Sequence, residues 1–189
     1  MTLSQVWMAL YWFWIVLEVW VAVGRRAAKA DAAGKDRGTQ LLLWAVIVLS
    51  LTANGFLRHL ALAPMHASES WMKPAALAVL AVGLVVRVAA IVTLGRAFSA
   101  NVATRSDQQL QRAGLYKIVR HPSYLGMEII FLAIGLHTMD WVCLAVALVP
   151  TTLAVLRRIG VEEEALRGLF GAEYEEYSRT TKRLIPGIY

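Results

Sequence analysis

Long apolar runs alternate along this chain with short basic stretches. Residues 5–23, 40–61 and 75–95 form three runs of roughly membrane-spanning length. Two shorter runs, 123–137 and 141–156, are separated only by Thr138–Asp140. A helix rising 1.5 Å per residue needs about 20 apolar residues to cross ~30 Å of hydrocarbon. The pattern therefore predicts an all-α, polytopic membrane protein with five transmembrane helices, the last two a short hairpin. Five such runs in 189 residues leave too little polar chain to cover them as buried helices of a soluble protein.

Composition agrees. The chain is 58% hydrophobic and 17% charged, against about 45–50% and about 25% for an ordinary soluble domain. A single cysteine excludes a disulfide framework. One domain over 1–189 is expected at this length. Sixteen of the 19 basic residues fall in segments 24–40, 96–120 and the tail from 157. By the positive-inside rule, the N-terminus lies outside and the C-terminus in the cytoplasm. The net charge of +6 then reflects topology and an anionic lipid surface, and nucleic acid is not needed as a partner. The first apolar run has no basic residue before it, so it reads as an uncleaved span. Trp7, Tyr11, Trp71 and Trp141 lie where interfacial anchors are expected.

Besides Arg58 near the end of the second run, the apolar runs contain Glu18, Arg87 and Glu128. Isolated charges there are costly, so each needs a partner or a polar cavity. Arg87 is expected to pair with Glu18 or Glu128. A sharper reading places Glu128 on a substrate cavity.

Two polar blocks flank the last two runs. The first is Gly114-Leu115-Tyr116-Lys117-Ile118-Val119-Arg120-His121-Pro122-Ser123-Tyr124-Leu125-Gly126. The second is Arg157-Arg158-Ile159-Gly160-Val161-Glu162-Glu163-Glu164, followed by Leu169-Phe170-Gly171-Ala172-Glu173-Tyr174-Glu175-Glu176-Tyr177. A helical hairpin brings both blocks to one membrane face. Pro122 can start a helix whose free N–H groups around Ser123–Gly126 favour an anionic group. Tyr116, His121 and Tyr124 offer flat faces and polar tips to a purine or ribose. Glu162 can hold an ammonium or hydroxyl. Arg158, four residues earlier, faces the same side of a continuing helix and can grip a carboxylate as a fork. Singly, basic helix ends are usually lipid anchors and a Glu-Glu-Glu run is usually a solvated face. No metal is expected: His121 has no second histidine at i+3 or i+4, and Cys143 lies in the fifth run.

The GLYxxxRHPSYLG block, the Arg-x-x-x-Glu-Glu-Glu block and the FGxEYxxY segment, with Arg183 and Pro186 beyond, resemble the isoprenylcysteine carboxyl methyltransferase family of integral membrane enzymes. The resemblance covers roughly residues 80–189, which would be the catalytic part; the N-terminal spans over 5–61 carry no signature. It implies S-adenosylmethionine as cofactor, S-adenosylhomocysteine as product, and a cytoplasmic cofactor pocket. A lipophilic or prenylated substrate would enter from the bilayer. Carried over by motif, the cofactor residues would be Asn101, Gln108, Gln109, Leu110, Gln111, Tyr116, His121, Pro122, Ser123, Tyr124 and Glu162. Arg158 would orient the substrate carboxylate, with Glu128 a further substrate contact and Arg158 and Glu162 the catalytic pair. A carboxylate is already ionised at pH 7, so methylating it requires alignment and desolvation and no general base. An amine acceptor, as in phospholipid N-methylation, would need one. A nicotinamide-dependent sterol-type reductase is the other alternative, because it shares an RHPxYxG-like block and an arginine–proline–tyrosine ending. A prokaryotic inner membrane is the expected location.

Overall fold

The computed structural model describes residues 1–24, 38–95 and 109–189. These residues form six α-helices: α1 (Leu3–Gly24), α2 (Thr39–Leu57), α3 (Glu69–Leu94), α4 (Pro122–His137), α5 (Trp141–Phe170) and α6 (Ala172–Thr180). A 3₁₀ turn at Gly114–Lys117 precedes α4, and no β-strand occurs among the described residues. Four helices, α1, α2, α3 and α5, are long and apolar enough to cross a membrane. At 16 residues α4 is shorter, reaching about 24 Å at 1.5 Å per residue.

The α4–α5 pair is a hairpin, but its second arm is not short. The apolar run stops before Arg157, whereas the helix continues to Phe170 and totals 30 residues, about 45 Å. Hydropathy marks where hydrocarbon ends and says nothing about where helix ends. Residues 157–170 are rich in Arg, Glu and Leu and hold no proline, so the helix carries Gly160 and Gly168 and ends only where Gly171 turns the chain at φ 52°.

Large apolar side chains are exposed on every long helix: Trp12 and Val16 on α1, Val48 and Leu49 on α2, Val85 and Val92 on α3, Val149 and Leu153 on α5. This collar fits lipid as the surrounding solvent. Inside it, Trp14, Leu80, Ile130, Phe131 and Val155 make the buried core. Small residues bring the backbones close. A Cβ on Gly126 would meet the Arg87 backbone nitrogen at 2.6 Å, and one on Gly135 would meet Leu144 Cα at 2.7 Å. Such close approach is how helices associate where hydrophobic burial offers no net drive.

Contacts at the two ends show that consecutive helices run in opposite directions. At one end, Trp7 stacks on His137 with centroids 3.8 Å apart, and Asn54 Nδ2 donates to the Cys143 carbonyl at 2.8 Å. Trp7 is thus a buried packing residue instead of the expected interfacial anchor, while Trp71 and Trp141 are exposed. Asp140 caps α5 by accepting from Val142 N at 2.8 Å and Cys143 N at 3.0 Å. Its other oxygen accepts from Ala63 N at 2.7 Å, tying the hairpin turn to the α2–α3 connection. The opposite end gathers the C-termini of α1 and α3 and the N-termini of α2 and α4.

Candidate active site

At that second end, two of the intramembrane charges pair with each other. Arg87 Nη2 and Nε donate to Glu18 Oε2 and Oε1 at 2.8 and 2.9 Å, and both side chains are buried. Trp14 Nε1 donates to the same carboxylate at 3.1 Å. The expected partnership of Arg87 therefore falls to Glu18 on α1. Arg87 Nη1 also reaches the Ser123 hydroxyl and its carbonyl, the latter at 3.1 Å. The first turn of α4 is thereby anchored by an α3 arginine that an α1 carboxylate holds in place.

The two sequence blocks meet. The Tyr124 hydroxyl donates to Glu162 Oε2 at 2.9 Å and accepts from Arg158 Nε at 2.8 Å. One phenol thus couples the RHPSY block to both candidate groups of the second block. Arg158 is buried, and its Nη1 donates to Thr39 Oγ1 at 3.1 Å. Thr39, the first residue of α2, was not legible as a site residue, because α2 carries no motif there.

The Glu-Glu-Glu run divides by direction. Successive helical residues point about 100° apart, so Glu162 turns to Tyr124, Glu163 turns inward and Glu164 is exposed. Glu163 is fully enclosed. Its Oε1 accepts from Arg120 Nη2 at 2.9 Å and lies 3.4 Å from His121 Nε2. Its Oε2 takes Arg183 at 3.0 Å and Arg167 at 3.3 Å. Arg120 further donates to the carbonyls of Ser178, at 2.9 Å, and Thr181. Backbone bonds run in parallel: Arg120 N to Lys182 O at 2.7 Å and His121 N to Arg183 O at 3.0 Å. The C-terminal segment therefore straps the RHP turn. Glu163 and Arg120 are the residues that sequence reasoning missed; a glutamate run read as a solvated face conceals the one that is buried.

The remaining expected residues fall as follows. Tyr116 is buried, its hydroxyl 3.4 Å from the Ala90 carbonyl and its own carbonyl accepting from Tyr177 Oη at 2.6 Å. Burial, reinforced by the nearby Glu162 carboxylate, pushes the Tyr116 phenol well above its usual range, so it stays a donor. Burial likewise pushes Tyr177 up to about 12. Gln111 Nε2 donates to the Thr93 carbonyl at 3.0 Å, and its Oε1 accepts from Ala113 N at 2.9 Å, closing a local turn. Gln109 is exposed and Leu110 half-buried. Asn101 and Gln108 lie outside the described residues. Pro122 does begin α4, but the N–H groups of Tyr124 and Leu125 both bond the His121 carbonyl at 3.1 Å. The expected fan of free amides is thus largely used within the turn. Glu128 accepts from Thr152 Oγ1 at 2.7 Å on the α4–α5 seam, one turn deeper than Tyr124.

Comparison with known proteins addresses the family of the chain. Residues 76–168 match the model of the isoprenylcysteine carboxyl methyltransferase (ICMT) family. The chain is 34% identical over 159 residues to a probable protein-S-isoprenylcysteine O-methyltransferase of Oryza sativa subsp. indica, covering 79% of this chain and 81% of that one. It is 40% identical over 72 residues to methanethiol S-methyltransferase 1 of Bradyrhizobium diazoefficiens, covering 38% of this chain and 24% of that one. Among solved structures it superposes on the eukaryotic intramembrane Ras methyltransferase ICMT with a TM-score of 0.58 and 25% identity. That match covers 76% of this chain and 52% of the solved one, so the chain spans about half the length of that structure. Apolar helices in a lipid-facing collar, two motif blocks joined through Tyr124, and these matches together place the chain in the isoprenylcysteine carboxyl methyltransferase family of membrane methyltransferases.

Proposed function

We propose that this protein transfers a methyl group from S-adenosylmethionine to the carboxylate of a lipophilic acceptor at the cytoplasmic membrane face. The observation that carries the reading is the Tyr124 hydroxyl held between Arg158 and Glu162. It sets a cationic fork and a carboxylate at one phenol hydroxyl. That donor set suits an amino-acid-like cofactor on the Glu162 side and an acid acceptor on the Arg158 side.

S-adenosylmethionine, when bound, supplies a methyl carbon made electrophilic by its sulfonium. Glu162, oriented by Tyr124, would hold its ammonium group; Tyr116 and His121 would border its adenosine. Gln109, Leu110, Gln111, Pro122 and Ser123 would shape the rim through their backbone, and Asn101 and Gln108 complete the proposed set. Arg158, braced by Thr39, would aim one acceptor oxygen at the methyl. Burial of Arg158 strengthens that attraction by excluding water. The methanethiol relative is named for a thiol acceptor. A thiol must shed a proton, whereas an arginine fork fits an acceptor that is already ionised.

The orientation rests on charge. Arg112, Lys117, Arg120, Arg157, Arg167, Arg179, Lys182 and Arg183 sit toward the site end, with Arg58 and Lys73 at the other. The positive-inside rule makes the site end cytoplasmic in a cell membrane and the N-terminus external. A count of five crossings is supported by α4 running beside α1, from Ser123 near Glu18 to His137 on Trp7.

Two measurements test the reading. Purified protein should be thermally stabilised by S-adenosylhomocysteine and not by a reduced dinucleotide, by about 2.7 kcal/mol at a hundredfold excess over Kd. Arg158→Ala should lower methyl transfer roughly 10²–10³-fold, the worth of a desolvated charge pair, while S-adenosylhomocysteine still stabilises the protein. Equal loss of both would contradict the assigned roles.

A further inference from the structure

Glu128 is an ionisable residue in the membrane-facing part of the hairpin with only half of its hydrogen bonding accounted for. Oε2 accepts from Thr152 Oγ1. Oε1 is enclosed and has no partner among the described residues. A polar link between α4 and α5 explains the first oxygen and leaves the second unexplained. A buried unpaired carboxyl oxygen costs on the order of 1–3 kcal/mol, and an ionisable group at membrane depth is retained where function requires it. Arg87, the nearest cation within the spans by sequence expectation, is committed to Glu18.

Position says what could use that oxygen. Glu128 follows Tyr124 by four residues, so it lies on the same face of α4, about 6 Å deeper at 1.5 Å rise per residue. Glu128 and Thr152 are both half-buried. Thr152 adjoins Leu153 and lies one turn from Val149, both exposed to lipid. The pair therefore stands at the lipid-open edge of the seam, below the site that would hold the reacting carboxylate. An acceptor whose head is at Arg158 and whose chain runs out along this seam passes it. A plain hydrocarbon chain there would leave the carboxyl unsatisfied; a chain bearing an O–H or N–H would not.

We infer that Glu128 and Thr152 form a specificity subsite for a hydrogen-bond donor carried on the acceptor's chain, about 6 Å deeper along the seam than Tyr124. The acceptor class is then a lipophilic acid with a hydroxyl or amide N–H near its head, and a bare isoprenyl chain is the poorer fit. This rests on the carboxylate-acceptor reading above.

The test compares two probes in nanodiscs by direct binding and by methyl transfer: an S-isoprenyl mercaptopropionic acid, whose carboxylate is its only polar group, and the same compound with a hydroxyl on its chain at that depth. The unaltered protein should bind the hydroxylated probe roughly tenfold more tightly, about one good hydrogen bond. Glu128→Leu should abolish or reverse that preference, Thr152→Val should weaken it, and Glu128→Gln, which keeps an acceptor oxygen, should retain most of it. Stabilisation by S-adenosylhomocysteine reports folding of each variant, and Thr152→Val and Glu128→Gln carry the comparison should Glu128→Leu fail to fold. The same preference in the unaltered protein and in the Leu or Val variants would overturn the subsite. Preference for the hydroxylated probe without methyl transfer to either would leave the subsite standing and remove the carboxylate-methylation reading.

Discussion

Replacing Glu163 tests how the C-terminal segment is held to the RHP turn. The carboxylate is fully enclosed and faces Arg120, His121, Arg167 and Arg183. These contacts are unequal. Arg120 is 8% exposed, so truncating Glu163 leaves a buried cation without its carboxylate, a change that costs about 3–5 kcal/mol. Arg167 and Arg183 are 41% and 36% exposed; water screens them, and each adds at most about 1 kcal/mol. Arg120 thus dominates, and Glu163→Ala should lose about 3–5 kcal/mol. At roughly 2–4 °C per kcal/mol for a chain of this size, the midpoint falls about 6–20 °C. Glu163→Gln keeps one acceptor for Arg120 and should lose less. The assay is thermal unfolding in detergent with limited proteolysis of the same samples. Arg120 also holds the Ser178 and Thr181 carbonyls, so cleavage after α6 should accelerate in both variants while the helical bundle stays intact. A midpoint within about 2 °C of the unaltered protein, with the tail equally resistant, would refute the assignment of Glu163 as the anchor.

Two further outcomes follow from the geometry. Glu18→Leu strands Arg87 in the core and should cost about 3–5 kcal/mol, whereas the double change Glu18→Leu, Arg87→Leu should recover much of that loss; a double variant no more stable than the single one would refute the pairing argument. Asp140→Ala should cost about 1 kcal/mol through the lost cap, measured by the same melts. Burial would raise the Asp140 carboxyl, but hydrogen bonds from the Ala63, Cys143 and Val142 N–H groups hold it below the ordinary value of 3.8. Its contribution is therefore complete above that value and is lost as the pH falls further, so an Asp140→Asn chain should show a shallower decline in acid unfolding.

Much of the molecule was legible from the chain alone. Apolar runs of bilayer length and basic stretches between them determined an all-helical membrane protein, because hydrocarbon thickness and the cost of charge in it act on sequence directly. The meeting of the two motif blocks was legible from their places at the ends of a hairpin, whereas their junction through the Tyr124 hydroxyl was not. Three further things required the folded chain. The length of α5 beyond Arg157 depended on helix continuity, which hydropathy does not encode. The choice of Glu18 over Glu128 as partner of Arg87 depended on helix rotation and on the Gly126 crossing that brings α3 against α4. The burial of Glu163 between exposed Glu164 and half-buried Glu162 depended on a C-terminal segment returning from outside the bundle. Each is a long-range contact, set by which faces meet in space, and adjacent residues on one helix carry no mark of which face that will be.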